Sequence, residues 1–151
     1  MKTSTFTITK NNTFTKITII TMDFSTSVKS VFCKYATFSG RASRSEYWYF
    51  ILFNFLVNLV IVVAPCLVGY LSEGVPGLVS GYGIASLISL LYMLATIIPS
   101  LAVGVRRLHD SGRSGWWMFM VLLPFIGAIV LLIFFLIESE MGENQYGEQP
   151  E

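Results

Sequence analysis

Three long apolar runs dominate the chain, at about 48–71, 82–105 and 116–137, and none contains Asp, Glu, Lys, Arg or His. At about 1.5 Å per residue, each could cross a hydrocarbon core of about 30 Å as a helix. The pattern predicts an all-α fold, a helical integral membrane protein with about three transmembrane helices. Span one opens on Tyr47, Trp48 and Tyr49 directly after Arg41 and Arg44, the sequence of a helix entering lipid at its aqueous boundary. Pro65, Pro99 and Pro124 fall inside the three runs. Prolines are tolerated there because neighbouring helices re-satisfy the freed backbone groups.

A different period precedes the first span. Over 23–38, helical spacing puts Val28, Val31, Phe32, Tyr35 and Phe38 on one face and Lys29, Ser30, Cys33, Lys34 and Thr37 on the other. Asp23, Ser25 or Thr26 can cap its start. The pattern predicts an amphipathic helix lying in the membrane interface, with packing against the rest of the protein as the alternative. Residues 1–21 are Thr-rich, carry three lysines and no acid, and lack the apolar core of a secretory signal. They read as a disordered, dispensable extension to a membrane domain at 22–151, and Met22 offers a second start.

Composition supports lipid exposure. The chain is 54% hydrophobic and only 13% charged, with mean hydropathy +0.66. Soluble proteins carry about 25% charged residues, so this one lacks the means to build a hydrated surface. No basic face is available for nucleic acid. Cys33 and Cys66 form no CxxC pair, and the first span separates them, so two free thiols are expected.

The ten basic residues fall only before span one and in the loop between spans two and three; the 72–81 turn and the acidic tail at 138–151 have none. The positive-inside rule then places the N-terminus and the Arg106–Arg113 loop in the cytoplasm. With three spans the C-terminus lies outside. A fourth crossing, or a re-entrant turn at Pro99 or Pro124, would return it to the basic side.

Three motifs carry a family resemblance: FSGRASRSEYWYFILF at 38–53, VGVRRLHDSGRSGWWMFMVLLPFIGAIVLL at 103–132 and GENQYGEQP at 142–150. They resemble the small bacterial inner-membrane proteins known as domain of unknown function 805, which usually have Arg and Phe where this chain has Gln145 and Tyr146. The resemblance covers about 23–150. It implies a multi-pass protein of the bacterial inner (plasma) membrane and supplies no catalytic residue.

Candidate chemistry is sparse. The positive-inside topology brings Arg41, Arg44, Arg106, Arg107 and Arg113 to one face, where they form a candidate site for an anionic headgroup or phosphate. The plainer reading is that they only set topology. His109 and Asp110 suggest acid–base or metal chemistry, but no further ligand set accompanies the single His, so a polar turn in which they hydrogen-bond the turn and pair with arginines is the better reading. Asn54 and Asn58 suit interhelical hydrogen bonding. Gly77, Gly81, Ala85, Ser89, Thr96, Ser100 and Gly104 make a small-residue packing stripe.

The spans carry no charge for ion-coupled transport, and there is no phosphate loop or nucleophile elbow. The expectation is a non-catalytic structural, lipid-binding or partner-binding module without metal or cofactor. Its partners would be the lipid bilayer and a homo-oligomer or membrane-protein partner. A small oligomeric transporter or channel subunit is the alternative.

Overall fold

The computed structural model describes residues 4–10, 13–19 and 23–150. Strands β1 (Ser4–Lys10) and β2 (Thr13–Ile19) pair antiparallel, with Ser4 opposite Ile19 and Lys10 opposite Thr13. The sequence reading expected disorder over residues 1–21, of which 1–3, 11–12 and 20–21 lie outside the described residues. Alternation of Thr with Phe and Ile has the two-residue period of a strand. From residue 23 onward the regular elements are all helical.

Helix α1 (Phe24–Cys33) starts where the Asp23 carboxylate accepts from the Phe24 backbone N–H. Its buried face is Ser27, Val28 and Val31. Phe32 stacks edge-on against Phe50 and Phe53, yet like Tyr35 and Phe38 it stays partly exposed. One side of α1 therefore packs on the protein, and the helix stops at Cys33, short of Tyr35 and Phe38 in the amphipathic pattern.

Helix α2 (Arg44–Glu73) and helix α3 (Val75–Asp110) form an antiparallel hairpin with span one and span two inside them. Both are long and apolar enough to cross a membrane. Ser43 caps α2 by accepting from the Glu46 N–H. The turn expected over 72–81 shrinks to Gly74 alone, at φ 67°. Pro76 sits in the first turn of α3, where a missing N–H removes no helical bond. Close approach explains the tight reversal. A Cβ on Gly77 would lie 2.0 Å from the Gly69 carbonyl oxygen, and one on Gly81 2.4 Å from that of Pro65. With Ala85, these are the part of the small-residue stripe that lies against α2.

The third apolar run is not one helix. A 3-10 helix (Gly115–Leu122) is followed by a break at Leu123–Phe125 and by helix α4 (Ile126–Leu136). The Ile126 N–H donates to the Pro124 carbonyl, and Phe125 takes φ 65° and ψ −64°, a left-handed γ-turn. Gly127 then rests against the Met120 carbonyl, where a Cβ would be 1.6 Å from the oxygen. The two limbs run antiparallel, with Trp117 edge-on to Phe134. At about 2.0 Å and 1.5 Å per residue each limb is about 16 Å long, half of a bilayer core.

The 116–137 segment turns back on itself at Leu123–Phe125, and the tail lies beside the basic residues, where Arg41 donates to Glu140 O and Gly142 O. The physical reason is the break at Pro124, which removes a backbone donor, and the left-handed residue after it. A satellite core of Val31, Phe50, Val103, Leu108, Leu131 and Phe135 joins α1, the hairpin and α4 at this end.

Candidate functional site: an arginine platform beside an apolar groove

The basic ends of α2 and α3 meet in a buried ionic network. Asp110, the last residue of α3, is fully buried. Its Oδ1 accepts from Arg41 Nε at 3.0 Å, and its Oδ2 accepts from Arg107 Nη1 and Ser139 Oγ. One turn away, Arg106 Nη1 reaches Glu46 Oε1 at 3.0 Å, and Ser30 of α1 donates to the same oxygen at 3.1 Å. Nε and Nη2 of Arg106 are buried with no partner among the described residues. Opposite charge makes these pairs tenable, since an unpaired ion away from water is far more costly than a paired one.

Three buried guanidiniums face two carboxylates, and backbone carbonyls take up further donors of Arg41 and Arg107. Arg107 donates to Phe135 O at 3.2 Å and to Ile137 O, and Arg44 donates to Ile137 O at 3.1 Å. These carbonyls end α4, where a helix leaves its last acceptors free and its dipole favours a cation. The arginines therefore cap the returning limb. Arg41 continues the pattern along the tail, donating to the carbonyls of Glu140, Gly142 and Gly147. The Glu140 N–H binds Asp110 O at 2.9 Å, and Asn144 Nδ2 binds His109 O at 3.0 Å.

The five arginines expected to share a headgroup site divide in the structure. Arg41, Arg106 and Arg107 are buried, and each donates to a carboxylate of the protein. Arg44 remains 41% exposed, in a 3.9 Å pair with the open Glu138. Arg113 is half-buried and lies 4.1 Å over the Phe134 ring. Ser114 fills the start of the 3-10 helix by accepting from the Trp116 N–H at 3.4 Å, so that terminus has its own cap.

His109 faces away from the ion pairs. Its Nδ1 lies 3.2 Å from Gly40 O, and its ring stacks on Tyr146 at 3.8 Å between centroids. The pair stands at the mouth of an apolar groove of about 640 Å³ between α3, the 3-10 helix and the Phe38 segment. Leu101, Val105, Trp116, Met118 and Leu122 line its length, and His109, Ser114 and Tyr146 its polar end. Gly115 sits at the wall, where a Cβ would press Val105 at 2.8 Å.

The remaining stripe residues divide. Gly104 faces the Met118 side chain, whereas Ser89, Thr96 and Ser100 line a separate open groove with Asn54 and Asn58. Sequence reading missed the roles of Glu46, Ser139, Asn144 and Tyr146. The one signal available was that two acids, Glu46 and Asp110, lie among the arginine motifs.

Comparison with known proteins agrees with the membrane fold. The chain is 45% identical over 121 residues to the Inner membrane protein YhaI of Escherichia coli (strain K12), covering 80% of this chain and 92% of that one. It is 38% identical over 116 residues to the Inner membrane protein YhaH of the same organism, covering 77% and 88%. An uncharacterized protein of that organism, YiiR, is 25% identical over 138 residues, covering 74% and 84%. No solved structure matches. The model of the family described as Protein of unknown function (DUF805) matches residues 35–148, nearly the whole helical domain with its platform, groove and tail. The chain belongs to that family.

Proposed function

We propose that this protein is a non-catalytic, multi-pass inner-membrane module that binds lipid in the groove at its basic end. Two crossing helices and a re-entrant hairpin put both ends of the helical domain on the side that the positive-inside rule assigns to the cytoplasm. The carrying observation is the groove itself: an apolar trough beginning at His109, Ser114 and Tyr146, with the half-buried Arg113 next to Ser114 in the chain. That is the shape and polarity of an amphiphile, with an acyl chain along Leu101 and Leu122 and an anionic headgroup at Arg113. Catalysis has less support, because the carboxylates of Glu46 and Asp110 are held in buried ion pairs.

Native mass spectrometry from vesicles containing anionic lipid tests this reading. Leu101→Trp, which fills the trough, is expected to lower retained lipid several-fold while the protein stays folded. Arg113→Gln is expected to remove the preference for anionic over zwitterionic lipid, since a basic residue near an anionic leaflet contributes about 1 kcal/mol. Retention unchanged in both variants would overturn the proposal. The transporter alternative has one observation in its favour, the polar groove between α2 and α3.

A further inference from the structure

The polar groove lies apart from the platform and the lipid trough. Asn54 and Asn58 stand one turn apart on α2, and Ser86, Ser89, Thr96 and Ser100 face them from α3 around an open groove of about 520 Å³. Asn58 is about 21 Å along α2, so the groove sits near the middle of the two crossing helices. Lipid tails offer no hydrogen bonds at that depth.

The groups in the groove are only partly satisfied. Tyr92 Oη donates to Asn54 Oδ1 at 2.9 Å, and Asn54 Nδ2 donates to Phe50 O at 2.9 Å. Asn58 Nδ2 donates only to Asn54 O, at 3.2 Å, and its Oδ1 accepts no bond among the described residues. Ser89 Oγ is buried without a partner among the described residues. Thr96 and Ser100 turn their hydroxyl hydrogens back onto their own helix, leaving oxygen lone pairs toward the groove.

We infer that a second copy of this chain docks on this face within the bilayer, as a two-fold symmetric dimer. Two features select a second copy. A helical hairpin presenting an open groove to its own copy makes a four-helix bundle, the arrangement that closes both grooves at once. A primary amide is both donor and acceptor, so Asn58 meeting its symmetry mate across the two-fold axis supplies the donor each Oδ1 lacks. The open Asn58 amides thereby become interhelical hydrogen bonds. The inference stands independently of the lipid trough.

Cross-linking of the full chain in lipid vesicles tests it, in a background with Cys33→Ser and Cys66→Ser. Asn58→Cys is expected to form an intermolecular disulfide on mild oxidation, whereas Val60→Cys, exposed on another face, is not. Single-molecule photobleaching of labelled protein should show two steps. Asn58→Leu should weaken dimerisation about three- to tenfold, the worth of a membrane hydrogen bond of about 1 kcal/mol. One-step bleaching across the accessible dilution range, or equal cross-linking at 58 and 60, would overturn the inference. So would modification of Asn58→Cys by a membrane-impermeant thiol reagent in a chain that stays monomeric, which would make the groove a water path.

Discussion

Neutralising Asp110 is the sharpest test of the platform. In Asp110→Asn the side chain keeps its shape but loses the charge that Arg41 and Arg107 share, leaving two buried guanidiniums without a counter-ion. Removing one partner of a buried pair typically costs about 3–5 kcal/mol. That is more than a hundredfold in the folded population, since about 1.4 kcal/mol is tenfold. The control is built into the same end of the molecule. Arg44 and Glu138 are 3.9 Å apart with Glu138 89% exposed, so Glu138→Gln should cost no more than about 1 kcal/mol. Because Arg41 and Asp110 also hold the tail, Asp110→Asn should release residues 138–150 to protease before the helices unfold. Chemical unfolding in mild detergent measures the first effect, and limited proteolysis read by mass spectrometry the second. A loss below about 1 kcal/mol with the tail still protected would refute the argument that this network organises the end of the protein.

Further outcomes follow from the hairpin at 115–136. A reporter that works only in the cytoplasm, fused after Glu151, should be active, and one placed at Gly74 should be silent; a silent C-terminal fusion would sink the re-entrant path. Phe125→Gly should stabilise the protein by about 1 kcal/mol, because a non-glycine residue in left-handed backbone stores about 1–3 kcal/mol and this side chain is 84% exposed. A measured loss on chemical unfolding would show that the ring matters more than the strain. Gly127→Ala should destabilise the turn and expose the returning limb to hydrogen exchange, because its new methyl would collide with the Met120 carbonyl; wild-type exchange there would contradict the geometry.

Much of this architecture is legible in the chain. Charge-free runs at 48–71 and 82–105 suit lipid-exposed helices, because every backbone group must bond internally in hydrocarbon. The clustering of Arg41, Arg44 and Arg106–Arg113 at one end follows from the two crossings alone. Family membership follows from residues as well. What hydropathy could not decide was the path of the third run. A window average over 116–137 is the same whether the segment crosses or turns back, and the turn depends on backbone angles at Phe125 and on how closely Gly127 approaches Met120. The fate of the arginines was equally a tertiary matter. Charge sign says that a guanidinium seeks an anion. Whether that anion is a lipid or Asp110, 69 positions from Arg41, is decided by which helix ends the fold brings together. Once the third run returns, the open carbonyls of α4 and the tail arrive at the same end. Burial then turns Arg41 and Arg107 inward to meet them, because an unpaired acceptor away from water is more costly than ordering one side chain.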